Sequence, residues 1–143
     1  MKIKNLIIAL LTLISAAAEA QSFNDFFTDK TLRVNFILGG NANSQNIYIS
    51  NMNSIDGWYG RKNHLAEFPV EGNTQFELKD KKTGKVIYRN SLSTLFQEWQ
   101  TYPEAKTSNR SFENVILMPM PKDTATLTIS LISNRRQIAG SIT

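Results

Sequence analysis

Six or seven short segments with apolar residues at every second position, turn signals at regular intervals and no long helical pattern predict an all-β fold. The expected architecture is a single β-sandwich, Ig-like or jelly-roll-like, with one short helix. Without a long crossover helix between strands, a parallel α/β arrangement has little to build on.

The elements follow in order. "SFNDFFTDK" leads the chain in, and "TLRVNFIL" places Leu32, Val34, Phe36 and Leu38 on one face of a strand. Gly39, Gly40 and Asn41 form a breaker cluster expected to end it. "QNIYIS" reads as a second strand, with Ile47 and Ile49 alternating against Tyr48. Residues 51–73 have no sustained period, carry Gly57, Gly60, Pro69 and Gly72, and are expected to form a long shaped loop with Leu65 and Phe68 tucked beneath it.

"TQFELKD" and "KVIYRN" flank "KKTG", a β-hairpin with Gly84 where positive φ is needed. In "SLSTLFQEWQ" the period changes: Leu92, Leu95, Phe96 and Trp99 form the stripe of a short helix, with Ser91 or Ser93 as cap and Pro103 beyond its end. "SFENVILMPMPK" is a strand expected to run into a turn at Pro119 and Pro121. "ATLTISLI" alternates most cleanly, with Leu127, Ile129 and Leu131 inward and Thr126, Thr128 and Ser130 outward. "SNRRQ" turns the chain into a partner strand, "IAGSIT".

Residues 1–20 have a different character. Two lysines in "MKIKN" precede the apolar run "LIIALLTLIS", and "AAAEA" puts small residues at Ala18 and Ala20. This pattern describes a secretory signal peptide cleaved between Ala20 and Gln21, leaving 21–143 as one domain with no membrane span. The run is shorter than the roughly 20 apolar residues of a spanning helix, which weighs against an uncleaved anchor. The expected location is the periplasm, the cell surface or the medium.

The chain has no cysteine, which excludes disulfides, thiolate metal sites and cysteine nucleophiles. Without Lys2, Lys4 and Glu19, the 16 basic and 12 acidic residues become 14 and 11, a net charge of +3. These cations are scattered rather than gathered on one face, which argues against nucleic acid as a partner.

A hydrolytic zinc site needs about three protein ligands, and His64 is the single histidine. "HLAE" lacks the spacing that sets two imidazoles on one helical face. There is no G-x-S-x-G elbow, and "LGGNAN" lacks the lysine and following helix of a phosphate loop. Asp56, Glu67, Glu71 and Glu77 could meet in space, but no spacing rule singles them out. The stretch "DGWYGRKNHLAEFPVEGN" remains the candidate contact surface, through Trp58, Tyr59, Arg61, Lys62 and His64. Trp58 and Tyr59 are open between stacking platforms and packing residues, whereas Trp99 lies on the helix stripe and reads as core.

Three blocks, "GWYGRKNHLAEFPVEGN", "GKVIYRNSLSTLFQEWQTYPEAKTSNRSFENVILMPMPK" and "ATLTISLISNRRQIA", behind "DKTLRVNFILGGNANSQNIYI", resemble the N-terminal domain of secreted bacterial IgA peptidases, zinc metallopeptidases of Gram-negative gut bacteria. The resemblance covers almost all of 24–143. It implies a non-catalytic accessory β-sandwich that supports a downstream catalytic domain or engages a protein substrate such as immunoglobulin. In that family the zinc-binding H-E-x-x-H motif lies in the C-terminal catalytic domain, and no metal or catalytic position maps onto this chain. No cofactor is therefore expected here, and zinc only in the catalytic domain. The sequence stops in an apparent hairpin, so the domain is expected to be truncated at its C-terminal end. Alternatives are a free-standing glycan- or peptide-binding module and a structural envelope protein.

Overall fold

The computed structural model describes residues 22–69, 72–133 and 138–143. The expected signal peptide, the tip of "SNRRQ" and Glu71 lie outside the described residues. Among the described residues seven strands form two antiparallel sheets, and the sandwich expected from the alternation is what the chain builds. Strands β1 (Phe27–Asn41), β2 (Ser44–Asp56) and β5 (Arg110–Pro121) make one sheet in the order β2-β1-β5. Strands β3 (Thr74–Asp80), β4 (Val86–Leu92), β6 (Ala125–Ile132) and β7 (Ile138–Ile142) make the other, in the order β4-β3-β6-β7.

The core is the meeting of the two inner faces. From β1 come Val34, Phe36 and Leu38, and from β5 Ile116 and Met118 on the neighbouring strand. Phe76, Leu78, Tyr88, Ile129 and Leu131 close the core from the second sheet, and all of these are buried. Each such side chain contributes about 1.5–3 kcal/mol by leaving water, which explains how the sandwich stands without disulfides.

Four boundaries differ from expectation. Gly39, Gly40 and Asn41 do not stop β1: the strand runs through them and turns at Ala42–Asn43. Gly40 serves close approach, since a Cβ there would lie 2.2 Å from the Ser44 carbonyl oxygen. The Asn41 carboxamide closes the turn by accepting from the amides of Asn43 (2.9 Å) and Ser44 (3.0 Å). Strand β2 extends to Asp56 rather than ending at Ser50. Its second half pairs with β1 down to Lys30–Asp56 yet is exposed on both faces, so no hydrophobic alternation marks it.

Pro119 and Pro121 lie within β5 rather than in a turn. That strand pairs only with β1, and its other edge needs no amide donors. The single helix becomes three short segments: α1 (Phe23–Phe26), α2 (Leu95–Trp99) and a 3₁₀ turn at Pro103–Lys106. Helix α2 is capped by Thr94, whose hydroxyl accepts from the Gln97 amide, rather than by Ser91 or Ser93. Phe96 and Trp99 are buried, whereas Leu95 is exposed and Leu92 ends β4, because a five-residue helix turns only one narrow stripe inward. Trp99 packs between Phe96 and Phe112, which makes it the core residue its position predicts. Among the described residues no helix is long and apolar enough to cross a membrane.

The β3–β4 hairpin carries the expected positive φ at Gly84, 71°. Asp80 organises its turn, its carboxylate accepting from the Thr83 amide at 2.7 Å and the Thr83 hydroxyl at 2.5 Å. These bonds, the hydroxyl's first, hold the Asp80 pKa below the usual carboxylate value. A carboxylate with a lowered folded-state pKa stabilises the fold above its unfolded pKa, about 3.9, and loses that contribution as pH falls through the folded value. Asp80→Ala is therefore expected to lower the urea midpoint at pH 6, with the difference from the parent chain shrinking below about pH 4. A difference that grows on acidification would contradict this role.

Candidate functional site

With β2 extended, the candidate stretch is the loop 57–73, which leaves the first sheet and wraps the edge of the second. Its entry is tethered to β1: the Gly57 amide donates to the Asp29 carbonyl (3.1 Å), and the Thr31 hydroxyl donates to the Gly57 carbonyl (2.6 Å). Trp58 then turns inward and meets the Tyr88 ring edge-on, with centroids 6.0 Å apart. Its indole N–H donates to the Arg61 carbonyl at 3.0 Å. The indole lies so close to Gly60 that a Cβ there would fall 2.2 Å from Trp58 Cζ2, which requires glycine.

Arg61 is the centre of the loop. Its guanidinium lies 5.1 Å from the Tyr88 ring centroid. It donates to the carbonyls of Leu65 (3.2 Å) and Glu67 (2.7 Å), and also to those of His64 and Arg89. Planar geometry and five donors let one arginine serve carbonyls from two turns of loop and a strand at once, which an ammonium cannot do. Leu65 is buried, and its carbonyl also accepts from the Arg89 amide at 2.8 Å, so the loop is stitched to β4. Phe68 stays near the surface, with the Arg89 guanidinium 5.6 Å from its ring.

The five candidate residues thus divide. Trp58 is buried and Arg61 is spent on backbone carbonyls; both serve the loop's shape rather than its surface. Tyr59 is 95% exposed, the most open large apolar side chain of the described residues. Lys62 reaches Asp29 at 3.5 Å and lies over the Phe23 ring at 5.1 Å. His64, at φ 52°, sets its Nδ1 3.3 Å from the Glu67 carboxylate, both side chains largely in solvent. Among the described residues no three His, Asp or Glu side chains come together in a way that could hold a metal ion.

The loop has a second consequence. Phe68 and Gly72 form one wall of a groove of about 780 Å³ on the outer face of the four-stranded sheet. Its floor is a polar grid in register: Arg89, Glu77 and Thr128 in one row across β4, β3 and β6, and Gln75 and Ser130 in the next. Ser133 and Ile138 bound the opposite side. The Arg89 Nε donates to Glu77 at 2.8 Å, so the two charges of the floor neutralise each other. The alternation of "ATLTISLI" turns Thr128 and Ser130 outward, but nothing in one strand's pattern tells that β3 sets Gln75 and Glu77 beside them.

Arg61→Lys is expected to cost about 1.5–3 kcal/mol in urea unfolding, through the lost charge-assisted bonds, and to raise amide exchange across 61–69. Tyr59→Ala, which touches no such network, is expected to stay within about 0.5 kcal/mol of the parent. Equal effects of the two substitutions would show that the guanidinium does not organise the loop.

No curated protein matches the chain. The family model described as the peptidase M64 N-terminus matches residues 22–142, the whole of both sheets. M64 is the family of IgA-specific zinc metallopeptidases, and no catalytic-domain family matches the chain. A two-sheet domain carrying this match along its full described length belongs to the peptidase M64 N-terminal family.

Proposed function

We propose that the chain is a non-catalytic accessory domain of an exported M64 zinc metallopeptidase, holding or orienting the catalytic domain and helping to engage a protein substrate. The observation that carries this reading is that the N-terminal family accounts for residues 22–142, so every described element belongs to the N-terminal module. The chemistry of the side chains agrees. The chain has one histidine and no cysteine, and His64 pairs with Glu67 on the surface. That pair is too few ligands for a hydrolytic zinc, which takes about three. In this reading zinc is held by the catalytic domain, and no step of hydrolysis is assigned to this chain.

The outer face of the three-stranded sheet supports the orienting role. Tyr48, Ile55, Val115 and Leu117 stand exposed on that sheet, as do Asn35, Asn51 and Asn53, whose carboxamides bond one another. A face that mixes these apolar side chains with an asparagine lattice and the charges of Arg33 and Glu113 suits the mixed interfaces between domains of one chain, about 600–1,500 Å². The charged start, apolar middle and A-x-A exit of residues 1–20 support export to the periplasm, the cell surface or the medium. The purified chain with added zinc is expected to leave immunoglobulin A and casein intact. Cleavage that a chelator abolishes would overturn the non-catalytic reading.

A further inference from the structure

The free edge of β2 is not absorbed by the supporting role, and its sequence reads the same in both directions. Residues 49–55 spell "ISNMNSI", a palindrome centred on Met52. We infer that this edge is an interface with a second copy of the chain, the two β2 strands pairing antiparallel about a twofold axis at Met52. In that register Asn51 faces Asn53 of the partner, Ser50 faces Ser54 of the partner, and Met52 faces its own equivalent. Amide thus meets amide, hydroxyl meets hydroxyl and thioether meets thioether. The edge is open. Among the described residues β1 is the sole sheet neighbour of β2, and Ser50–Asp56 are exposed at every position, Met52 at 50%. β7 stands beside the first half of the strand, where Gly140 approaches Gln45. Edge strands usually carry lysine or proline against such pairing. β5 has Pro119 and Pro121, and the loop is stitched along β4 by the Arg89–Leu65 bond, whereas residues 44–55 of β2 hold neither proline nor charge.

The side chains favour a second copy over an unrelated strand. On the outer face, the Asn51 carboxamide oxygen accepts from Asn35 and, at 2.9 Å, from Asn53. This leaves the Asn51 N–H groups and the Asn53 carboxamide oxygen without a partner among the described residues, and the twofold axis sets one against the other, twice. The asparagine row of one sheet thereby continues across the axis, as in stacked amide ladders. Charge sets no obstacle, since Asp56, next along the strand, already pairs with Lys30 at 3.5 Å. Ser50 is the extra residue of a bulge against β1, which limits the pairing to Ser50–Ser54 of each copy. So short an interface makes a weak dimer in equilibrium with monomer. It uses the edge of the strand and leaves Val115 and Leu117 open on the outer face, so it stands independently of the supporting role.

Sedimentation velocity of the purified chain from micromolar to millimolar concentration is expected to show a reversible shift from monomer to dimer. Met52→Lys sets two like charges face to face and is expected to weaken association about tenfold. An equimolar mixture of Met52→Lys and Met52→Glu should associate more tightly than either variant alone, because residue 52 of one copy meets residue 52 of the other. A chain without cysteine also lets disulfides report the register. Directly opposed residues of an antiparallel pair have Cα atoms about 4.5–5.5 Å apart, within disulfide reach, so mild oxidation should link Met52→Cys copies. Ser54→Cys, whose equivalents lie four residues or about 14 Å apart in this pairing, should stay unlinked. Circular dichroism melts establish that each variant folds. The proposal is overturned if the chain stays monomeric throughout, if Met52→Lys dimerises as the parent does, or if the mixed variants associate no better than each alone. Linking of Ser54→Cys as readily as Met52→Cys would overturn it as well.

Discussion

Tyr88 holds the molecule together at the place where three parts of the chain meet. Its ring is buried and contacts Phe27 of β1, Phe76 of β3 and Trp58 of the loop, while the Arg61 guanidinium covers it at 5.1 Å. One side chain thus connects the first sheet to the second and the second to its wrapping loop. Aromatic pairs add about 0.5–1.5 kcal/mol beyond area burial, and a desolvated cation over a ring about 2 kcal/mol. More important than the sum is the geometry. Arg61 can reach the carbonyls of Leu65, Glu67 and Arg89 because Tyr88 supports its planar head.

From this constraint follows the arrangement of the surface. The loop is pinned to β4, Phe68 stands at its rim, and the polar grid on the outer sheet face acquires a wall. At the other end of the sandwich an independent knot does similar work. Arg110 pairs with Glu104 at 2.7 Å, Glu104 accepts from the Trp99 indole, and Ala42 donates its amide to the Ala105 carbonyl, fastening α2 and the 3₁₀ turn under the β1–β2 hairpin. The two sheets present two outer faces on a single core: on one, exposed apolar side chains stand among asparagines with Arg33 and Glu113, and on the other lies the polar grid of β4, β3 and β6.

The core is legible in the sequence because its signal is local: the alternation of "TLRVNFIL" and "ATLTISLI" suffices to single out Val34, Phe36, Leu38, Ile129 and Leu131, all of them buried. Gly84 is legible for the same reason, since a hairpin turn demands its φ from one residue. What escapes such reading is non-local. The end of β2 is held by pairing with β1 and buries nothing, so its letters carry no period. The prolines of β5 resemble a turn because edge position is a property of the sheet, not of the segment. Trp58 and Tyr59 are neighbours of similar type, yet one is buried and the other bare, and only the docking of the loop on Tyr88 separates them. The groove is invisible for another reason: its rows join the local β3–β4 hairpin to β6, which lies far along the chain.

The chain belongs to the M64 N-terminal family, and its loop is organised by contacts within the described residues. The shape of the loop and the wall of the groove both require Arg61 and Tyr88 to act as one unit. A double-mutant cycle with Arg61→Met, Tyr88→Leu and the pair, followed by urea unfolding, measures this most directly. The expected coupling energy is about 1 kcal/mol or more, the second substitution costing less once the first is made. Single effects that add to within about 0.5 kcal/mol would contradict it, and with it the origin assigned to the loop and the groove wall.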